Sequence, residues 1–486
     1  MKTLKTLTIF ILILSVSNIY AQPVALDPTF GQNGMTIISD ATEVKLIDFD
    51  KQGNIIAIGT TKDGNKHYLT IVKTNADGII DENFGDNGIL TLGNNNAGVY
   101  DFKITDENKI LIVGNFHPSV MMMQFNEDGS FDESFGSSGK IIFHSVLNIF
   151  AENIQNSNFL LFSEYNHGYG FDWCIISKYD FSGKKDESFG SSGDVWLTDN
   201  NANFNIFPTC IKMLREQSIL IAGFDYPAQN HYYNKEPNSK IVFCKLDSNG
   251  QFVTDFANNG IFIQDIVFST ESIDEAIIDV LEDSNGNLIF IGLCKNNCFI
   301  LRVLPNGTID STFGEKGFYY FNLQYPFTDI EFTGKRVLLH NNKYLTRWDD
   351  RILSINSNGT LDTNFNNNGV FIYKNFTIKD MMLQKAKKIV LGGCYNGKFA
   401  ITRLNIPNEI SIEEITVSSN LPIIYPNPVK DYLYFNNNTQ FEIFDIQGRL
   451  LVKSEKAMQS VDASHLKAGI YFIRFENKQV EKFVKE

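Results

Sequence analysis

Carboxylates and aromatic rings are the side chains of this 486-residue chain whose types and spacing could do chemistry. Asp349 and Asp350 stand beside Trp348, and paired carboxylates can supply the acid and the base of a glycosidase. Solvated surface charges explain the same pair. The sequence contains no Gly-x-x-x-x-Gly-Lys phosphate loop, no Gly-x-Ser-x-Gly nucleophile turn and no His-Glu-x-x-His zinc motif. We therefore expect no catalytic residues and no cofactor.

Aromatic side chains are concentrated in three connections between predicted strands. Rings with polar tips suit stacking on sugars or packing against a protein partner. The alternative is that these rings cover their own loops. The predicted ligand-binding side chains are Tyr165, Tyr169 and Trp173 in the connection 163–173, Tyr226, Tyr232 and Tyr233 in the connection 224–240, and Tyr344 and Trp348 in a third connection.

Metal ligands do not cluster in the sequence. Asp- and Asn-rich loops, such as residues 180–186, offer the oxygen ligands that Ca²⁺ prefers, but none has the EF-hand spacing. We expect no metal, with calcium in these loops as the alternative. The His residues never fall at the close spacing of a local zinc site; they are His67, His117, His144, His167, His231, His340 and His465.

The six Cys residues are too few for a disulfide scaffold in so long a chain. Cys294 and Cys298 flank three residues between two apolar runs, so they could face each other across a hairpin at bridging distance. The alternative is a pair of small buried thiols. That alternative suits the other four better still, namely Cys174, Cys210, Cys244 and Cys394.

The net charge limits the partners that the chain can bind, and its first residues indicate where the chain is sent. A formal net charge of -14 disfavours a groove that follows nucleic-acid phosphates, so we expect no nucleic-acid partner. Lys2 and Lys5 precede the apolar run 7–16, and Ala21 occupies a plausible cleavage point, so residues 1–21 are predicted to be a signal peptide. No apolar run is long enough for a transmembrane anchor.

One phrase recurs seven times, first as Leu26-Asp27-Pro-Thr-Phe30-Gly31-Gln-Asn-Gly34. The intervals between its Phe residues are 54, 51, 54, 67, 57 and 52 residues, and each period contains short apolar or alternating stretches that read as four strands. This pattern predicts propeller blades. The Phe is predicted to be a structural plug between neighbouring blades, at Phe30, Phe84, Phe135, Phe189, Phe256, Phe313 and Phe365.

The first and last repeats are half-units that complement each other. The first phrase has no strand before it, and the strand 399–404 has no phrase after it. We expect strand 35–39 to complete the blade 377–404, which would remove two exposed sheet edges. The predicted fold is therefore all-β, a seven-bladed β-propeller whose N-terminal strand closes the last blade, plus a small C-terminal β-sandwich.

Two features of the repeats carry further predictions. The most apolar strand of the sixth unit is predicted at Val337, as the second strand of its blade. The fifth phrase has Val253 in place of the Asp and Ala257 in place of the Gly that follows the repeated Phe, and the seventh has Asn366 in place of that Gly. Because Ala tolerates a left-handed turn less well than Asn, the blade of Ala257 should be less regular.

The phrase resembles the delta-60 family of Leu-Asp-x-x-Phe-Gly repeats over residues 26–405. That resemblance implies a propeller-like fold, common in secreted bacterial proteins, with no general catalytic role. We predict the propeller over 22–405 and a linker carrying Pro, Ser and Glu over 406–420.

Residues 421–486 are predicted to be a separate small β-sandwich. Its phrases resemble the type A C-terminal sorting domain of the type IX secretion system. The residues that carry this resemblance are Pro426, Asn427, Pro428, Asp445, Gly448, Arg449, Gly469 and Tyr471. The resemblance implies export across the outer membrane of a Gram-negative bacterium by the type IX machinery. It also implies removal of the tail, with the rest attached to the cell surface or released.

Binding is the function that these expectations favour. The propeller would be a secreted or cell-surface repeat protein that binds a polysaccharide or a protein partner. One alternative is an extracellular polysaccharide hydrolase or lyase with carboxylates in the central channel. Another is a structural element of a surface layer.

Overall fold

The structure is a computed structural model that describes residues 24–64, 66–93, 97–116, 119–143, 149–154, 158–166, 172–180, 182, 184–197, 206–225, 240–265, 275–294, 297–322, 334–384, 388–406, 424–425, 427–476 and 480–486. The predicted signal peptide, and the predicted linker beyond residue 406, lie outside these residues. The chain divides into two units, Met1–Asn408 and Glu409–Glu486.

The first unit is built from seven antiparallel sheets, which are the blades of a propeller. Two short strands, β1 (Ala25–Leu26) and β2 (Met35–Ile38), precede the first complete blade. Blade 1 comprises β3 (Glu43–Phe49), β4 (Ile55–Asp63), β5 (Lys66–Thr74) and β6 (Ile89–Leu92). Blade 2 comprises β7 (Ala97–Ile104), β8 (Ile110–Phe116), β9 (Ser119–Phe125) and β10 (Lys140–Phe143). Blade 3 comprises β11 (Ile149–Ile154), β12 (Asn158–Asn166), β13 (Asp172–Asp180) and β14 (Asp194–Trp196).

The remaining blades continue in the same order. Blade 4 comprises β15 (Ile206–Met213), β16 (Ile219–Asp225), β17 (Lys240–Leu246) and β18 (Ile261–Gln264). Blade 5 comprises β19 (Glu275–Glu282), β20 (Leu288–Cys294), β21 (Asn297–Val303) and β22 (Phe318–Asn322). Blade 6 comprises β23 (Val337–His340), β24 (Lys343–Trp348), β25 (Arg351–Asn356) and β26 (Val370–Ile372), with a 3₁₀ helix at Phe365–Asn367. Blade 7 comprises β27 (Phe376–Gln384), β28 (Lys388–Tyr395) and β29 (Lys398–Asn405).

The N-terminal strands complete blade 7. β2 pairs with β29 from Met35↔Thr402 to Ile38↔Phe399, and β1 continues the pairing at Leu26↔Leu404. The prediction that the N-terminal strand closes the last blade of a seven-bladed propeller is therefore confirmed.

The apolar core lies between the blades. β20 is buried at all seven positions, because its two faces pack against different neighbouring blades. Among the described residues, the buried apolar clusters of this unit join each blade to the next around the ring. Continuous apolar strands such as this one are expected where both faces of a sheet are covered.

Each repeated Phe lies at one of these interfaces and is at most 5% exposed. At the first interface, Gly31 N–H donates to the Asp77 carbonyl of blade 1 at 2.7 Å. A Cβ added at Gly78 would come within 2.6 Å of the Phe30 ring. The turn of the next blade therefore needs a glycine at this position, so that its backbone can approach the ring.

In three blades a cation of the third strand lies over the repeated Phe ring and binds the Asp of the same phrase. In blade 5, the Arg302 guanidinium lies 4.8 Å from the Phe313 ring centroid, and its Nε donates to Asp310 Oδ2 at 2.8 Å. The same arrangement recurs with Lys178 over Phe189 and with Arg403 over Phe30. The phrase thus combines a turn, an ion pair and an interblade contact.

Two details differ from expectation. In blade 6 the second strand is β24, not the apolar stretch at Val337, which forms the first strand β23. The blade of Ala257 keeps a regular four-stranded sheet, and Ala257 itself takes a φ of 50°. The prediction of a less regular blade is wrong, because the backbone keeps the turn despite the Cβ.

Of the two alternatives for Cys294 and Cys298, the structure has the pair of buried free thiols and not the disulfide. Across the hairpin, Cys298 lies opposite Leu293 and Cys294 lies opposite Asn297. Neighbouring residues of a strand point to opposite faces of a sheet. The two thiols therefore lie on opposite faces and are buried in different clusters.

The second unit consists of two small sheets around one core. One sheet has the order β30–β31–β34, with β30 (Ile424–Tyr425), β31 (Tyr432–Thr439) and β34 (Met458–Asp462). The other has the order β33–β32–β35–β36, with β32 (Phe441–Asp445), β33 (Leu450–Lys453), β35 (Gly469–Phe475) and β36 (Val480–Lys485). Their inner faces share an apolar core that includes Leu433, Phe441 and Ile473.

Candidate functional site

One end of the propeller collects the turns between the second and third strands of all blades, together with the connections from one blade to the next. Antiparallel strands require this, because every second turn falls at the same end of the sheet. We call this end the BC face. It carries the turn at residues 349–350 of blade 6 and the turn at 396–397 of blade 7. Ligands of rigid β scaffolds commonly bind at such loops.

Four of the predicted binding aromatics cannot be placed. Tyr169, Tyr226, Tyr232 and Tyr233 lie outside the described residues. Tyr165 lies on β12 and Trp173 on β13, where their backbones are directly paired at the BC end of blade 3. A binding role for these six residues stays a prediction.

Tyr344 and Trp348 are buried, contrary to the prediction that they are exposed loop residues. They are 2% and 1% exposed, because both lie on β24, the second strand of blade 6. Tyr344 Oη donates to Asp283 Oδ2 at 3.1 Å. Burial, together with the Asp283 charge, raises the pKa of Tyr344 to about 12. These contacts make Tyr344 part of the interface between blades 5 and 6.

Trp348 packs in the same interface. Its Nε1 donates to Thr346 Oγ1 at 3.1 Å, and its ring meets Phe321 edge-on with centroids 5.3 Å apart. A ring this covered offers no open face for a sugar to stack on. The Asn341-Asn342 pair is the sequence signal that would have placed both aromatics on a strand and not in a loop. Both residues take positive φ, as the two-residue turn between β23 and β24 requires.

A groove of about 450 Å³ opens between blades 6 and 7 on the BC face. Its floor includes buried Trp348 and Phe376. The polar side chains around it are Asp349, Asp350, Arg351, Asn375, Thr377 and Asn396. Unlike the aromatic loops, this groove brings together residues from two blades, which the sequence does not indicate.

Three turns form the rim of this groove and are bonded to one another. Asp349, Asn375 and Asn396 have φ values of 46°, 64° and 50°. Asp and Asn adopt this left-handed conformation more readily than other non-glycine residues. The Asp349 carbonyl accepts from Ile378 N–H at 2.6 Å, and Asn396 N–H donates to the Asn375 carbonyl at 3.2 Å. These bonds position the polar side chains of the rim.

The groove presents carboxylate, carboxamide, hydroxyl and guanidinium groups. Asp349, Asn375, Thr377 and Asn396 are exposed, and Arg351 Nε lies 3.3 Å from Asp350 Oδ1. Such a set offers hydrogen-bond donors and acceptors, which is how proteins commonly fix the orientation of a polar ligand.

The central channel holds a second, smaller cavity of about 110 Å³, lined mainly by the first strands of the blades. Asp380 Oδ2 accepts from Ile47 N–H of blade 1 at 2.8 Å, and its Oδ1 accepts from Lys335 N–H of blade 6 at 2.6 Å. Burial raises the pKa of Asp380, against the opposing charges of Lys335 and Arg347.

Asp279 makes similar bonds in blade 5, with Val337 N–H donating to its Oδ2 at 3.0 Å. Asp380 and Asp279 thus each join adjacent blades through backbone amides. Their oxygen atoms are already engaged, which disfavours an acid–base role for this pair.

Neither a metal cluster nor a membrane helix is found where the chain is described. Within those residues, no three His, Cys, Asp or Glu side chains form a group that could hold a metal ion. The same part of the chain contains no helix long and apolar enough to cross a membrane.

The phrases of the second unit stabilise its fold. Asn427 bonds β36 through both ends of its amide, donating to the Lys482 carbonyl at 3.0 Å and accepting from Val484 N–H at 2.9 Å. Asp445 Oδ2 accepts from Arg449 Nε at 2.6 Å, across a turn in which Gly448 has a φ of 76°.

The other residues of these phrases are placed as follows. Tyr471 Oη donates to the Lys467 carbonyl at 2.7 Å, and Gly469 begins β35. Pro428 is exposed beside Asn427, and Pro426 lies outside the described residues.

Two family descriptions match parts of the sequence. Residues 423–486 match the secretion system C-terminal sorting domain. Residues 108–135 match a β-propeller domain of unknown function, DUF5122. The predicted propeller and sorting-domain resemblances are therefore confirmed. The sorting domain indicates secretion to the outer surface of a Gram-negative bacterium and an interaction with the type IX secretion machinery.

Solved structures of very different sequence align with most of the chain. Semaphorin 2a of Drosophila is 8% identical, with 96% of this chain and 98% of that chain covered, at a TM-score of 0.45. The polysaccharide lyase Uly1 is 10% identical, with 78% and 92% covered, at a TM-score of 0.46. The AfRom2 CNH domain is 9% identical, with 76% and 98% covered, at a TM-score of 0.40. Similarities at this level carry no argument about function. No curated protein sequence matches the chain.

Proposed function

We propose that the propeller is a secreted, non-catalytic binding module and that its BC face binds a polysaccharide at the cell surface. The groove of about 450 Å³ between blades 6 and 7 is the observation that carries this proposal. A protein partner on the same face is the alternative that the experiment below distinguishes.

The chemistry of the groove supports a carbohydrate ligand. Sugar hydroxyl groups are both donors and acceptors, and they match carboxylate, amide and hydroxyl side chains on a rim that is already positioned. Asp349 and Asp350 outnumber the one cation among the groove residues, Arg351. We therefore propose an uncharged or amino sugar, because sulfate or uronate groups would meet like charges.

Glycine substitutions on the rim provide the test. Asp349→Gly, Asn375→Gly and Asn396→Gly each remove a polar side chain and keep the left-handed backbone that the turn needs. Asn342→Gly is the matched control, since Asn342 also has positive φ but lies on the turn between β23 and β24, at the opposite end of the blade. The full-length protein and these variants would be applied to arrays of neutral, amino, uronate and sulfated polysaccharides and of bacterial surface proteins.

We expect the rim variants to weaken binding of a neutral or amino polysaccharide about tenfold each, which corresponds to about 1.4 kcal/mol, while the control binds normally. If the rim variants lose binding only to a surface protein, the ligand of the groove is a protein and not a polysaccharide. Release of sugar products would replace the proposal by a hydrolase or lyase, and unchanged binding by all rim variants would contradict it. Tyr232→Ala and Tyr233→Ala test the aromatic loop of blade 4 in the same assay.

A further inference from the structure

Large apolar side chains are exposed more often in the sorting domain than in the propeller. Among the described residues, fourteen large apolar side chains are exposed, and eight of them belong to the second unit. These eight are Tyr432, Tyr434, Ile446, Leu450, Leu451, Met458, Ile470 and Phe472. Soluble sheets with one solvated face normally alternate apolar residues inside with polar residues outside, so this surface needs a physical reason.

Four of these side chains belong to the larger sheet of the domain. On β35, Tyr471, Ile473 and Phe475 point into the core. The residues between them point outward, and there Ile470 is 41% exposed and Phe472 is 37% exposed.

The pairing of the strands gathers these residues into one patch. Phe444 on β32 lies between Phe472 on β35 and Leu450 on β33, opposite both. Ile470 lies opposite Val484 on β36. Residues directly opposite on one face of a sheet contact each other. We call these five residues the outer patch: Leu450, Phe444, Phe472, Ile470 and Val484.

Charged side chains form one border of the outer patch and contact each other. Glu442 lies between Arg474, at 2.5 Å, and Lys453, at 2.9 Å. The Arg474 guanidinium also lies 4.8 Å from the Phe444 ring centroid. Lys482, which pairs with Phe472, adds another cation. An apolar centre with a polar border is the usual composition of a protein–protein interface.

We infer that the outer patch is the surface through which the sorting domain docks on the type IX secretion machinery. The domain match supplies this occupant, because the machinery is the partner that such a tail implies. The border has three cations and one carboxylate, so the receptor would present an apolar groove edged by carboxylates. The sorting phrases are consistent with this role of the patch. Asn427 and Asp445 form hydrogen bonds within the domain and leave the patch open.

Export of the full-length chain tests the inference. Phe472→Thr and Ile470→Thr remove apolar surface from the patch and keep a residue that favours strands. Tyr432→Thr and Tyr434→Thr are the matched controls, because these rings are 49% and 44% exposed on the other sheet. Each variant would be expressed in a bacterium with type IX secretion, and the amounts outside the cell and in the periplasm would be measured.

We expect both patch variants to reduce the exported fraction at least tenfold and to accumulate in the periplasm, while both controls are exported normally. Purified patch variants should melt at the same temperature as the wild-type chain. Arg474→Glu, which reverses a charge of the border and keeps all five residues of the outer patch, should reduce export as well and serves as the second variant if Thr impairs folding. Normal export of the patch variants, or equal loss for the controls, would overturn the inference. Patch variants that are exported normally but no longer bind lipid vesicles would also overturn the inference, because the patch would then contact a membrane.

Discussion

Asp27 Oδ2 accepts a hydrogen bond from Arg403 Nε at 2.7 Å, although 376 residues separate them in the chain. Both side chains are 4% exposed. Lys388 Nζ donates to the same carboxylate oxygen at 2.6 Å. This contact joins the N-terminal segment to the last two strands of blade 7, and it accompanies the pairing of β2 with β29 that closes the ring.

Arg403 extends the closure to blade 1. Its Nη1 donates to the Ala76 carbonyl at 2.9 Å and to Gln384 Oε1 at 2.9 Å. The guanidinium therefore connects the first phrase, blade 7 and the turn of blade 1. We name Asp27, Arg403 and Lys388 the closing cluster.

Removing the charge of Asp27 should destabilise the propeller. In Asp27→Asn two cations lose their buried partner, and breaking such a pair costs about 3 kcal/mol. Asp81→Asn is the control, because Asp81 is 30% exposed and lies 3.7 Å from Lys73, so its loss should cost at most about 1 kcal/mol. Chemical denaturation of the full-length chain measures both, and equal effects would contradict a special role for the closing cluster.

The stabilisation by Asp27 should depend on pH. Burial acts to raise the pKa of Asp27, but hydrogen bonds from Lys388 and Thr29 and the charge of Arg403 outweigh it, so the pKa lies well below the ordinary 3.8. A carboxylate with a depressed folded-state pKa stabilises the fold above its unfolded-state pKa and loses this effect as the pH falls toward the folded-state value. The difference in melting temperature between wild type and Asp27→Asn should therefore be full at pH 7 and shrink below pH 3.8. A difference that is constant down to the acid transition would refute this assignment.

Replacing Ala257 by Gly should stabilise blade 4. Ala257 has a φ of 50°, and an L-residue in that region costs about 1 to 2 kcal/mol. Part of this gain is offset by the greater backbone entropy of glycine in the unfolded chain, leaving about 0.5 to 1 kcal/mol.

Asn366→Gly is the comparison for this substitution. Asn366 has a φ of 47°, but its Nδ2 donates to the Val370 carbonyl at 2.8 Å. Glycine there should be neutral or should destabilise by up to about 1 kcal/mol. Denaturation midpoints of the two variants decide the matter, and a destabilised Ala257→Gly would show that the Cβ is well accommodated.

A methyl group at Gly78 should disturb the contact between the first phrase and blade 1. In Gly78→Ala the added Cβ would come within 2.6 Å of Phe30. Gly53→Ala is the control, since Gly53 has a similar positive φ, 84° against 79°, and nothing within 4 Å of its Cβ position. Both variants carry the cost of the left-handed backbone, and only Gly78→Ala adds overpacking of about 1 to 3 kcal/mol. Equal melting temperatures would mean that the Phe30 ring moves without cost.

Much of the propeller follows from local turn chemistry that the sequence displays. In the six phrases that contain the Asp, its carboxylate accepts an N–H bond from the residue two positions after it, as Asp27 does from Thr29 at 3.1 Å. The Gly residues of the phrase take positive φ. Such turns depend on a few neighbouring residues, so their repetition predicts the number of blades, and the unmatched half-units predict the closure of the ring.

Blade 6 shows a limit of predicting the fold from local turns. Two short apolar stretches, β23 and β24, compete for the position of the second strand. The Asn341-Asn342 turn joins them in a hairpin but does not decide which of the two is the second strand. The packing of Tyr344 and Trp348 against blade 5 and its neighbours decides it. The same limit applies to Cys294 and Cys298, whose faces depend on the register of one hairpin.

The sequence by itself therefore determined the repeat, the seven-bladed fold and the sorting domain, because these features depend on turns and strand patterns formed by residues close together in the chain. Only the tertiary structure decided which side chains are exposed, which carboxylates of the channel bond neighbouring blades, and that Asp349 and Asn396 border one groove. The physical reason is that burial and proximity between blades arise from contacts across the ring, and a change of one residue in register moves a side chain to the other face of its sheet.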